Sequence, residues 1–193
     1  MKIAIIDYGA GNIQSIKFAI KRLGFEAVLT SDEDEIKAAD KVIFPGVGEA
    51  SSAMKMLKAS KLDLLIPELK QPVLGICLGM QLMCAHSEEG VTDGLSIFEV
   101  PVLKFNNSVK VPQIGWNQIS NLSSPLFSEI KEMEYVYLVH SYYVEKCEET
   151  IATSEYGVSY TTALKKDNFY GVQFHPEKSS DAGEQILKNF LEL

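Results

Sequence analysis

The sequence predicts an α/β fold: an open, mainly parallel twisted sheet with helices on both faces and an antiparallel section appended to it. Short apolar runs alternate with stretches of helical period through the first half, and the two periods demand different backbones. In the second half, strand-like segments follow one another across short turns instead.

Taken in order, Ile3–Ile6 is wholly apolar, as in a strand buried on both faces. The loop Asp7-Tyr8-Gly9-Ala10-Gly11-Asn12 follows. Ile13, Ile16, Ile20 and Leu23 then recur at three- and four-residue steps, marking one face of a helix that Gly24 caps. Residues 27–29 read as a strand and Ser31-Asp32 as a helix start. Lys41–Phe44 is a strand running into Pro45-Gly46-Val47-Gly48, and Val73–Ile76 is another, leading to the helix-compatible Met80-Gln81-Leu82-Met83. Further on, residues 135–139, 142–145, 150–153 and 159–164 read as strands. Asp167-Asn168 is a turn before a strand over 169–174. A final helix is expected with Asp181 as N-cap and Glu184 three residues on, a capping box.

The 193 residues, 46% hydrophobic and 23% charged, fit one soluble domain over 1–193. No apolar run is long enough to span a bilayer, and the N-terminus is too short in apolar residues for a signal peptide, so a cytoplasmic location is expected. A net charge of -8 argues against unaided binding to nucleic acid or an anionic membrane. Three cysteines without metal-type spacing argue against a disulfide framework and direct attention to a single reactive thiol, with no metal and no cofactor expected.

That thiol is Cys77. Gly75-Ile76-Cys77-Leu78-Gly79 is a G-x-C-x-G segment between an apolar strand and a helix, the cysteine form of a nucleophile elbow. The sharp turn requires small residues two away on either side. It lifts the side chain above the carboxyl edge of the sheet, where open α/β sheets bind ligands. A following helix N-terminus favours the thiolate, and the Leu78 N–H can face a developing oxyanion. The plainer reading is a small buried core cysteine. Cys84, two helical turns on, is assigned to core packing, and Cys147 to no role.

A cysteine nucleophile needs a base, and the base an orienting group. His175 ends a strand, and Glu177, two residues on, points the same way in an extended segment, with Pro176 stiffening the geometry. Alone, each reads better as a surface residue; together with an elbow cysteine they read as a triad. His86 is expected at the end of the elbow helix; His140, at a strand end, either lines a pocket or is simply packed, the packed reading being preferred. The glycines of Pro45-Gly46-Val47-Gly48 permit exposed N–H groups that would form a second oxyanion wall, or a plain strand-to-helix turn.

Pro45-Gly46-Val47-Gly48, Gly75-Ile76-Cys77-Leu78-Gly79-Met80-Gln81 and Gly171-Val172-Gln173-Phe174-His175-Pro176-Glu177-Lys178-Ser179 strongly resemble the class I glutamine amidotransferases. The resemblance implies that Cys77 attacks the side-chain amide of glutamine to give a glutamyl thioester, with His175 as acid/base and Glu177 as its orienter. It implies an oxyanion hole from Gly46, Val47 and Leu78. It places Gln81, Ser141, Tyr142 and Gly48 around the substrate glutamine.

Tyr8-Gly9-Ala10-Gly11-Asn12, Val111-Pro112-Gln113-Ile114-Gly115-Trp116-Asn117 and Val139-His140-Ser141-Tyr142 are similar to one branch of that family in particular. Its partner is a (β/α)8-barrel cyclase subunit, bound as a heterodimer, to which ammonia passes. By that likeness Asn12, Trp116, Asn117, Tyr137 and Lys178 lie near the partner. Gln113 stands where that branch commonly has His, and residues 97–105 lack its strongly basic pattern; both are expected near the partner face.

The chain shows no phosphate-binding loop and no second domain to accept ammonia, which also points to a separate synthase docking over the active-site edge. It implies a hole at Gly46-Val47-Gly48 that the partner completes. The competing readings are a glutaminase serving a different synthase, such as an amidino-sugar enzyme, a stand-alone γ-glutamyl hydrolase, and a catalytically dead binding subunit.

Overall fold

The computed structural model describes residues 1–9 and 11–193; Ala10, in the loop expected after the first strand, lies outside the described residues. In the first half, β1 (Ile3–Ile6), α1 (Ile13–Arg22), β2 (Ala27–Thr30), α2 (Glu33–Lys37), β3 (Lys41–Phe44), α3 (Ala50–Ala59) and α4 (Leu62–Leu65) lead to β4 (Val73–Ile76) and α5 (Leu78–Leu82). Short strands follow: β5 (Cys84–Ser87), β6 (Thr92–Asp93) and β7 (Phe98–Lys104). A hairpin of β8 (Gln113–Ile119) and β9 (Glu134–His140) comes next. The chain closes through β10 (Tyr142–Val144), β11 (Thr150–Glu155), β12 (Ser159–Lys166), β13 (Phe169–Val172) and α6 (Ser180–Glu192).

The main sheet runs β2-β1-β3-β4-β13-β12-β10-β7-β5-β6, with β11 on β12; β8 and β9 form a separate two-stranded sheet. From β2 to β13 every pairing is parallel. Beyond β13 the pairings are antiparallel except β5 with β7. The expected antiparallel section is therefore joined to the parallel one edge to edge.

β1 is apolar throughout because both its faces are covered. Ile3 and Ile5 pack with Ile16, Ala19 and Ile20 of α1 and Ile186, Leu187 and Phe190 of α6. Ala4 and Ile6 pack on the other side with Ala53, Met54 and Leu57 of α3 and Leu62 of α4. The buried stripe of α1, at steps of three and one, is the predicted helix face. Gly24 follows it at φ 86°, a left-handed conformation that glycine adopts without strain. Asp32 caps α2, accepting from the Glu35 N–H at 2.9 Å.

Two local expectations fail. Asp181 lies inside α6, whose N-cap is Ser179 and carries no side-chain capping bond. The Ser179 hydroxyl is engaged elsewhere, donating to His175 O at 2.7 Å and accepting from the Tyr137 N–H at 2.9 Å. Glu184 meets Arg22 at 3.0 Å instead of closing a capping box. The elbow helix also stops at Leu82, so Cys84 and His86 sit on β5 rather than on or after a long helix. Cys84 is nevertheless core, with no exposed surface.

Candidate active site

Cys77 sits between β4 and α5 at φ 54°, ψ -112°, a backbone conformation costly for any residue with a Cβ. The turn is held by its N–H, which donates to Val172 O at 2.8 Å. Its flanking glycines are required by close approach. A Cβ at Gly79 would land on Phe44 O, one at Gly46 on Gly79 N, and one at Gly75 would come within 2.9 Å of Met80 N. The 45–48 loop and the elbow thus interlock through backbone contacts. Gly79→Ala is accordingly expected to cost more than about 2 kcal/mol, read as a lower urea midpoint. A wild-type midpoint would mean that the two loops part without resistance.

The parallel register of β4 with β13, Val172 against Ile76, carries the chain past β13 alongside the elbow. His175 and Glu177 follow, leading into a 3₁₀ turn, Pro176–Lys178. Glu177 Oε1 accepts from His175 Nδ1 at 2.9 Å, with both side chains almost wholly buried. That bond fixes the tautomer and leaves Nε2 for Cys77. Burial pulls the His175 imidazolium down, but the neighbouring Cys77 and Glu177 outweigh it and raise it to about 10, while Nε2 itself has no hydrogen-bond partner among the described residues. The resulting charge state is an imidazolium beside the sulfur.

Cys77 and His175 line a cavity of about 310 Å³ together with Val47, Gly48, Leu78, Gln81, Ser141 and Tyr142. The structure therefore brings together all the expected substrate-side residues. Gly46 packs beneath them against the elbow. Leu78 opens α5, so its N–H has no intrahelical acceptor and remains available to a ligand. Val47 and Gly48 form the exposed lip, Gly48 at φ 99°.

Sequence reasoning missed two residues here. Glu89 lines the cavity and accepts from the Ala50 N–H at 2.9 Å. Burial raises its carboxyl above the usual range, against that bond and with help from the Glu49 charge. Its sole sequence signal was the acidic pair Glu88-Glu89. Gln173, wholly buried, places its amide nitrogen 3.7 Å from Cys77 Sγ.

His140 is buried and also lines the cavity, the other of the two readings its position allowed. Its Nδ1 lies 2.7 Å from Tyr142 O and its Nε2 3.1 Å from the Gln113 amide. Gln113 is buried behind it, bonded by Tyr160 Oη at 3.0 Å, so its side chain faces inward and not toward a partner. Burial pushes His140 down to about 4, against the Tyr142 bond and with a further push from His175.

This makes a stability prediction with a definite sign. The folded His140 value lies below its ordinary 6.5, so the unfolded chain protonates first. Its contribution is full above pH 6.5 and is lost toward pH 4, by roughly 3 kcal/mol. His175, raised, has the opposite sign: full below 6.5 and lost as pH rises through about 10. Urea unfolding between pH 4 and 7 should show a shallower acid loss in His140→Gln than in the wild type. Parallel curves would count against this.

The remaining candidates lie outside the cavity. His86 Nδ1 faces Asp93 at 3.1 Å. Cys147 is half-buried and bonds Thr150. On the hairpin, Trp116 and Tyr137 are cross-strand partners with ring centroids 6.0 Å apart, and Lys178 Nζ lies 6.0 Å from the Tyr137 ring. Trp116 is 52% exposed, and Ile114 and Tyr135 add to the same apolar surface. Asn117 instead reaches back to Glu155 O at 3.0 Å, and Asn12 accepts from Ser15. No helix among the described residues is long and apolar enough to cross a membrane.

An elbow cysteine at the end of a parallel strand, with a buried histidine–carboxylate pair just beyond the adjoining strand, is the arrangement the class I amidotransferase resemblance implies. The chain belongs to the class-I glutamine amidotransferase family, whose model matches residues 4–193. Among its relatives, the imidazole glycerol phosphate synthase subunit HisH of Bacteroides fragilis is 59% identical over 100% of both chains. The subunit of the same name from Pectobacterium atrosepticum is 47% identical, again over 100% of both. Solved structures agree on the fold. A putative GMP synthase protein from Thermoplasma acidophilum superposes with a TM-score of 0.77 at 22% identity, over 100% of this chain and 92% of that one. PurLQS from Thermotoga maritima superposes with a TM-score of 0.72 at 15% identity, over 99% and 97%.

Proposed function

We propose that this chain is the glutaminase subunit of an imidazole glycerol phosphate synthase in histidine biosynthesis, acting in the cytoplasm as one domain over its whole length. The observation that carries the chemistry is the buried His175–Glu177 pair facing the elbow cysteine in one cavity. End-to-end likeness to the HisH subunits supports the pathway.

The Cys77 thiolate attacks the side-chain carbonyl carbon of glutamine. The Leu78 and Val47 N–H groups, the latter on the loop seated through Gly46, receive the oxyanion. The tetrahedral intermediate collapses, His175 Nε2 gives its proton to the departing ammonia, and a glutamyl thioester remains. Water then attacks as His175, now neutral, takes its proton; glutamate leaves, and thiolate and imidazolium are restored. Glu177 holds the ring throughout. Gln81 and Glu89 offer acceptor oxygens to the substrate's ammonium group, and Ser141, Tyr142 and Gly48 close around it.

A (β/α)8-barrel cyclase docks on the apolar surface around Trp116, Tyr137 and Lys178, with Asn12 and Asn117 at its margin, and receives the ammonia. Gln113 packs inward against His140 Nε2 at 3.1 Å and Tyr160 Oη at 3.0 Å, so it does not bear on the choice of partner. The test is glutamate release with and without a cyclase barrel and its ribosyl-phosphate ligand. The expected result is strong stimulation by the pair. Equal activity without the barrel would favour a stand-alone hydrolase instead.

A further inference from the structure

Cys77 and Gln173 are 96 residues apart in sequence and neighbours in the sheet. Val172 is in register with Ile76 at the ends of β13 and β4, and the Cys77 N–H donates to Val172 O, so Cys77 and Gln173 leave those two strand ends together. His175, two residues further along, lines the same cavity as Cys77. The Gln173 amide has two partners: its Oε1 accepts from Gln81 Nε2 at 2.8 Å, and its Nε2 donates to Cys77 Sγ at 3.7 Å.

The direction of that amide is set by a carbonyl that cannot be reversed. Tyr142 O accepts from Gln81 Nε2 at 3.0 Å, and a carbonyl oxygen only accepts. Gln81 must therefore turn its NH₂ that way. Its second N–H requires the oxygen of Gln173, and this leaves the Gln173 NH₂ for the sulfur. With Gln173 reversed, two NH₂ groups would face each other and an oxygen would oppose Cys77.

We propose that Gln173 is a positioning residue for the glutaminase reaction: its N–H holds the Cys77 sulfur as an aimed thiolate, and its Oε1 keeps Gln81 turned with its own oxygen toward the substrate. This rests on the reading of Cys77 as nucleophile. The neutral thiol has a different outlet, since Sγ lies 3.9 Å from Val139 O and can donate to it. Ionisation removes that donor. The Gln173 N–H then compensates the sulfur's charge together with His175, and a hydrogen bond to a charged acceptor is about twice as strong as a neutral one. The titratable groups facing Cys77 are His175, backed by Glu177, and Tyr8; Gln173→Met adds none and isolates the lost donor, whereas Gln173→Glu adds its own carboxyl beside the sulfur.

Gln173→Glu keeps an acceptor toward Gln81 and removes the donor; Gln173→Met removes both. The full-length chain is treated with iodoacetamide across pH, and the modification of Cys77 is followed by mass spectrometry. The rate-against-pH profile should move to higher pH by about one unit in both variants. In the presence of the cyclase, kcat for glutamine should fall about tenfold or more in both, with KM raised only in Gln173→Met. Profiles overlaying that of the wild type would overturn the proposal. A readout on the unaltered protein needs no variant to fold: the Gln173 side-chain NH₂ in a ¹⁵N spectrum. Slow exchange, with a shift that follows the pH of alkylation, supports the proposal; exchange as fast as a free amide overturns it. Glutamate release by Cys77→Ala serves as the separate control. Activity surviving there would defeat the functional reading, while the alkylation profile would still decide the role of Gln173.

Discussion

Replacing Cys77 by serine should lower glutamate release from glutamine by at least about 10⁴-fold, the scale seen when one member of a catalytic unit is removed. The change is a single atom in a turn that glycines and the Val172 bond already fix, so stability should stay within about 1 kcal/mol. The chemical loss follows from the charge state. His175 is raised to about 10, so its resting ring is an imidazolium at neutral pH. A serine hydroxyl does not ionise in this range, and an imidazolium is a poor base for it. Glutamate assays with the cyclase barrel at saturating glutamine, run beside urea unfolding, separate the two effects. Activity within tenfold of wild type would remove Cys77 from the chemistry.

His175→Leu should produce the largest loss of stability at the site, about 3–5 kcal/mol at neutral pH, because it leaves a buried carboxylate without its counter-charge. Glu177 has a wholly buried side chain, and its Oε1 has His175 Nδ1 at 2.9 Å. Its other oxygen has no hydrogen bond among the described residues, so nothing remains to compensate the charge. The double variant His175→Leu/Glu177→Leu removes the charge as well and should recover most of the loss. A double-mutant cycle by urea unfolding reads the coupling directly. Additive effects would show that the pair is solvated in a way its burial denies.

The parallel half of the fold was legible because its strands are covered on both faces, so burial wrote continuous apolar runs into the sequence. The elbow and the His175–Glu177 step were legible for a related reason: each depends on local spacing. What could not be read depended on partners distant in the chain. Ser179 gives no capping signal because its hydroxyl serves Tyr137 and His175, 42 and four residues away. The strands after the elbow were missed because β5 and β7 take their pairing from each other, and the helical period of Met80–Met83 gives no warning of the break. Glu89 and Gln173 looked like ordinary polar residues; only the cavity and the β4–β13 register give them a setting.

That register also orders events in time. β4 can pair with β13 only once residues 169–172 exist, and β13 is the strand that seats both His175 and the Cys77 N–H. On a ribosome, therefore, the elbow is made long before the rest of its site. During synthesis of the intervening segment, one edge of β4 has no neighbour from its native sheet. The His175–Glu177 pair cannot be seated beside the elbow until residues 169–177 have emerged, and a product truncated before residue 169 would expose an apolar strand edge.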